Sequence, residues 1–156
     1  MVDGDPGDGV ARLIREQHAA IRALFDEIET GPEGAREERF RRLVDCLARH
    51  ESAERMLVHP VLRAAGSVGA EIAQVCAREE AEARSMLTAV ERAGLDSDEF
   101  APRFLVMRDA VIRHAAREER TVLPLLEQTQ DRGVLRRLAD ALRNASAPVD
   151  QVITAG

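Results

Sequence analysis

With 156 residues, 45% of them hydrophobic and 32% charged, the chain has the length and composition of one folded domain, not of a disordered segment or a membrane protein. It has four Phe but no Tyr or Trp, and its 22 basic residues are all Arg, which excludes aromatic stacking platforms for nucleic acid, a lysine Schiff base and tyrosyl or tryptophanyl radicals. A net charge of −6 argues against a phosphate-binding surface.

Apolar residues recur at helical spacing along nearly the whole chain, and no stretch alternates with period two. Residues 1–9 are acidic and Gly-rich, without the basic and apolar regions of a secretory signal, and read as a flexible N-terminus. The first helix is predicted over 10–29, with Leu13, Ile14, Ile21, Leu24, Phe25 and Ile28 on one stripe. Clustered Gly and Pro at 30–34 break it. A second helix follows over 35–59, a turn at 66–69 and a third helix over 70–93. Gly94 ends the third helix, Asp96 with Glu99 reads as the cap of the fourth, and Pro102 falls in its first turn. The fourth helix continues to about residue 123, and a short amphipathic helix covers 131–144. Residues 145–156 carry no pattern and read as a tail. Long helices joined by short loops pack as antiparallel neighbours, so the fold class is all-α: an up-down-up-down four-helix bundle over 10–127, with the fifth helix across one end or side. Cys46 and Cys76 lie among apolar neighbours without CxxC spacing and read as buried thiols; with apolar runs too short to span a bilayer and no secretory signal, the cytoplasm is the expected compartment.

Three of the four histidines fall on inward stripes. The second helix holds His50-Glu51-Ser52-Ala53-Glu54 and the fourth holds His114-Ala115-Ala116-Arg117-Glu118; in each HxxxE the two residues share one helical face. Both continue the apolar seam, through Leu43, Leu47, His50, Glu54 and Leu57 and through Met107, Val111, His114 and Glu118. A Pro stands ten residues after each His, at Pro60 and Pro124, so "HESAERMLVHPVL" and "HAAREERTVLPLL" look like one unit used twice. His18 lies four after Ile14 and three before Ile21 on the first helix. Burying several imidazoles and carboxylates in an apolar seam is costly unless they pair or bind metal. His59, at the predicted end of the second helix, reads as a surface or end-of-bundle residue.

His18, His50-xxx-Glu54, a third-helix position and His114-xxx-Glu118 together resemble the hemerythrin-like HHE cation-binding domain, over about residues 10–127. The resemblance implies a bundle holding two non-haem irons, bridged by the two HxxxE carboxylates and an oxygen species. Members of that family bind or sense dioxygen, handle iron, or respond to peroxide and nitric oxide. Helix three of the family supplies a His, and here the segment Ala77-Arg78-Glu79-Glu80-Ala81-Glu82-Ala83 has none. Apolar residues follow Glu80 at the same offsets as they follow His18, which makes Glu80 the candidate for the missing ligand. Glu79, on the 72-76-79-83-86 seam, is its rival, and a vacant position filled by water is the third option.

The candidate metal ligands are thus His18, His50, Glu54, Glu80, His114 and Glu118, a mixed nitrogen and oxygen set suited to iron, with manganese the second choice, over zinc. Gln17, Asp45 and Gln74 are candidates to orient the imidazoles. The expected partner is a diatomic ligand or peroxide, not nucleic acid or a membrane, with the chain as a monomer or homodimer. Peroxide- or dioxygen-reactive chemistry is open to such a site. The reading from a different class is a metal-free helical interaction module with a degenerate site.

Overall fold

A computed structural model describes the backbone of residues 9–154 and the side chains of residues 9–146, so the expected flexible N-terminus lies, but for Gly9, outside the described residues. Five helices and no strand occur among the described residues: α1 (Val10–Thr30), α2 (36–64), α3 (Ser67–Ala93), α4 (Phe100–Thr129) and α5 (Arg132–Thr154). Helix α2 is composite. An α-helical stretch, Arg36–Ala53, passes through a π turn, Glu54–Val58, into a last α-helical stretch, His59–Ala64.

Two apolar layers fix the topology. One gathers Val10, Leu13 and Ile14 from the start of α1, Val58 and Leu62 from the end of α2, Ala73 from the start of α3, and Leu123 and Leu126 from the end of α4. The other takes the opposite end of each helix, including Phe25, Phe40, Leu43, Val90 and Phe104. Each helix therefore runs opposite to the one before it, as an up-down-up-down bundle requires. Helix α5 lies along the side against α1 and α2, adding Leu138, Ala139 and Leu142 to the first layer.

Four boundaries differ from the sequence reading, each for a local reason. The α2–α3 turn is only Ala65 and Gly66, with Gly66 at φ +122°, and Gly69 sits inside α3, where a Cβ would come within 2.0 Å of the Leu62 carbonyl oxygen. Asp96 does not cap α4; the helix starts at Phe100, and the Ser97 hydroxyl accepts the Glu99 amide at 3.0 Å. Pro124 does not end α4, because Leu123 and Leu126 beside it are buried in the first layer, and that burial offsets one missing backbone bond. Helix α5 opens on Asp131, whose carboxylate accepts the Val134 amide at 2.8 Å, and continues past residue 144 to Thr154. Its Ser146 is fully buried against Gln17, a polar anchor that an apolar pattern does not register; the side chains of the expected tail beyond it lie outside the described residues. No helix among the described residues is long and apolar enough to cross a membrane.

Candidate metal centre

Between the two apolar layers lies a polar layer. It is built from one turn of each bundle helix: Gln17 and His18 of α1, His50 and Glu54 of α2, Glu80 of α3, and His114 and Glu118 of α4, all buried. The i,i+4 spacing does its expected work on two helices, with His50 Nε2 at 3.1 Å from Glu54 Oε1 and His114 Nε2 at 3.2 Å from Glu118 Oε2. His18 Nε2 reaches across the bundle to within 3.5 Å of Glu118 Oε1, and its ring packs edge-on against that of His50 with centroids 5.1 Å apart.

The six residues singled out in the sequence are brought together in two sets of four. His18, His50, Glu54 and Glu118 offer donor atoms that all lie within 4.8 Å of one another, and so do Glu54, Glu80, His114 and Glu118. The sets share Glu54 and Glu118. Both oxygens of Glu54, one of Glu80, one of Glu118 and His18 Nε2 are buried with no hydrogen-bond partner. Buried polar atoms are normally satisfied, and orphaned donors that converge on common points are what a cation would satisfy. The residues therefore fit a metal pair.

Partners outside the cluster set the direction of each imidazole. His50 Nδ1 donates to Gln17 Oε1 at 2.8 Å, and His18 Nδ1 donates to Glu119 Oε1 at 2.8 Å. With the proton held on Nδ1, the Nε2 lone pair of each ring points inward, the tautomer a metal ligand needs. Gln17 is itself held by α5, because its amide donates to the Ser146 hydroxyl at 2.8 Å and that hydroxyl donates to the Leu142 carbonyl. Of the three orienting candidates, only Gln17 serves: Asp45 is exposed and 3.8 Å from Arg49, and Gln74 is exposed. Glu79 stands outside the cluster, 3.5 Å from the outward Nδ1 of His114 and 3.1 Å from Arg117 Nε, while Glu80 is 1% exposed and inside.

Two side chains escaped the sequence reading. His59 is not on the surface; it is 2% exposed, with Nε2 at 3.5 Å from Glu80 Oε1. At ~100° per residue an unbroken α-helix would turn His59 about half a turn away from His50. The π turn changes this: the His59 amide bonds back five residues to the Glu54 carbonyl, so the rotation lags by about one residue and His59 swings inward. The internal repeat carried the signal, since His59 aligns with Leu123 of α4, which is 1% exposed. Cys76 is the second, with Sγ within 4.8 Å of donor atoms on both His114 and Glu118. Replacing His59 by Leu, the residue at the matching position, should leave the fold intact but free the Glu80 carboxylate. Competitive metal titration should then show a loss of about 10–100-fold in affinity, the usual cost of removing an orienting partner; unchanged affinity would contradict the assignment.

The metal-free cluster is electrostatically divided. Burial lowers His50 to about 4, aided by His18 and His114 and opposed by Glu118. Burial alone would lower His114 too, but the facing Glu118, backed by Glu80 and Glu79, pushes it up to about 9. Burial and the charge of Glu118 raise Glu54 well above the carboxylate range, whereas Glu118, despite burial, is held well below it by His114 and His18. The neutral His50 stabilises the fold above its ordinary value of 6.5, and that contribution is lost as pH falls towards 4. The protonated His114 contributes fully below 6.5, and its share is lost as pH rises through 9. Melting of the metal-free protein across that range should therefore peak near the middle and fall on both sides; a flat profile would refute this charge distribution.

A cavity of about 20 Å³ adjoins the cluster, bordered by His18, His50, His114, Leu47 and Val111. A larger apolar pocket of about 90 Å³ shares Leu47, Glu51, Ala83 and Val111 with it. Across known proteins, the family model of the hemerythrin HHE cation-binding domain matches residues 10–126, the span of α1 to α4 that carries every donor. No curated protein and no solved structure matches the chain.

Proposed function

The chain belongs to the hemerythrin HHE cation-binding family, and from that premise we propose that it is a non-haem di-iron protein that reacts with or senses dioxygen, peroxide or nitric oxide. The observation that carries this reading is the pair of buried four-residue sets sharing Glu54 and Glu118. His18 and His50 would hold one metal ion and Glu80 and His114 a second, with Glu54 and Glu118 available to both. This donor chemistry suits iron, with manganese as an alternative. Bound iron would supply a redox centre for a small oxidant or diatomic ligand.

The chain's own residues set the terms of that chemistry. Three buried carboxylates bring three negative charges, nearly offsetting two divalent cations and favouring the more highly charged ferric state. The site is thereby disposed towards irreversible oxidation, peroxide turnover or iron handling and against reversible dioxygen release. The 20 Å³ cavity beside His50 and His114 has room for one small molecule against the apolar Leu47 and Val111. A reducing cytoplasmic setting suits the two buried thiols.

Anaerobic reconstitution with ferrous iron, followed by oxygenation, is the test. About two irons per chain and an oxidation that cannot be reversed by removing oxygen are expected. A stable, fully reversible oxygenated spectrum would overturn the redox bias, and an iron-free product would leave a metal-free helical module.

A further inference from the structure

Helix α3 carries Cys76 and Glu80 four residues apart, the spacing at which α2 carries His50 and Glu54 and α4 carries His114 and Glu118. Three helices thus present the same pair of positions to the polar layer, a nitrogen or sulfur donor followed one turn later by a carboxylate. Cys76 is 1% exposed, and its Sγ lies within 4.8 Å of a nitrogen of His114 and an oxygen of Glu118. Independent of the thiol, Glu118 Oε1 and Glu80 Oε1 are buried without a hydrogen-bond partner, and neither nitrogen of His114 makes an aligned hydrogen bond. The wall that Cys76 faces is therefore a set of unsatisfied donors.

We infer that Cys76 is a sulfur ligand of the metal held by Glu80, His114 and Glu118, which makes the two positions of the centre chemically unequal. The inference rests on the dinuclear reading above and deepens it. Without sulfur, the second position has one imidazole and three carboxylates, against two imidazoles and two carboxylates at the first. Cys76 shares His114 and Glu118 with that set, and side-chain rotation would bring these three donors onto one ion at metal–donor bonds of ~2.0–2.3 Å. Coordination breaks the S–H bond, the electron pair stays on sulfur to form the metal–sulfur bond, and the proton leaves to water. Burial, the main cause, pushes the Cys76 thiol up to about 12 in the metal-free chain, but a bound divalent cation deprotonates a coordinating thiol outright. A softer donor on one side favours a more thiophilic ion there and permits two different metals in one centre.

Anaerobic titration of the full chain with cobalt(II) alone tests this. The expected product binds about two cobalt ions per chain and shows a near-ultraviolet thiolate-to-cobalt band, unobscured because Tyr and Trp are absent. The band should disappear in Cys76→Ser and persist in Cys46→Ser, whose thiol belongs to the opposite apolar layer. Cobalt-edge X-ray absorption of the unaltered protein, expected to show a sulfur neighbour at ~2.3 Å, decides the matter even if Cys76→Ser does not fold. Two bound cobalt ions with neither band nor sulfur neighbour would overturn the thiolate and leave the dinuclear site standing. No cobalt uptake at all would overturn both.

Discussion

Glu118→Ala should abolish metal binding at both positions while leaving a folded chain. Glu118 belongs to both four-residue sets, and its two oxygens face different imidazoles, His18 at 3.5 Å and His114 at 3.2 Å. Glu80→Ala, by contrast, removes a donor from one set only, and His18→Ala from the other. The loss in Glu118→Ala should exceed the ~10–100-fold that removal of an orienting partner costs, because a charged donor is taken from each ion. The metal-free fold should survive, since His114 can release the proton that Glu118 held in place and no buried cation is stranded. Metal analysis after dialysis, with circular dichroism on the same samples, checks both halves. A variant that still retains two ions would refute the bridging role.

Phe104→Ala should cost the fold about 3–5 kcal/mol, the range for removing a buried Phe side chain. Its ring is 2% exposed, stacks on Phe100 with centroids 5.2 Å apart, and tilts against Phe25 at 5.5 Å and Phe40 at 6.5 Å. All four Phe of the chain thus sit in one layer, between the loops and the polar centre. The space left by the truncated ring falls among α1, α2 and α4, and no residue of the candidate metal centre belongs to that layer. Denaturant midpoints of both the metal-free and metal-loaded protein should fall together, while two ions per chain are still bound. A selective loss of metal with unchanged midpoints would show that the layer acts on the centre and not on the fold.

The helices and their antiparallel order were legible because an α-helix buries one stripe, and that stripe is written every three or four residues. His50, Glu54, His114 and Glu118 were legible for the same reason: they interrupt the stripe in phase with it. Orientation beyond that phase was not. Glu79 and Glu80 are adjacent, ~100° apart on α3, and either fits the period. Only the packing of α3 on α4 turns Glu80 inward and leaves Glu79 against the outer nitrogen of His114.

The orienting partners Glu119 and Ser146 come from helices distant in sequence, so no local pattern announces them. His59 is the sharpest case, because its inward position depends on a π turn that breaks the very period by which a sequence is read. By itself, then, the sequence determined the bundle, its direction of travel and a belt of three histidines with two glutamates inside it, since each follows from helical repeat and burial. The tertiary structure decided which α3 carboxylate faces the belt, that His59 and Cys76 join it, and that α5 holds Gln17 against His50. Those outcomes depend on helix rotation and cross-helix distance, quantities that one chain's local periodicity does not contain.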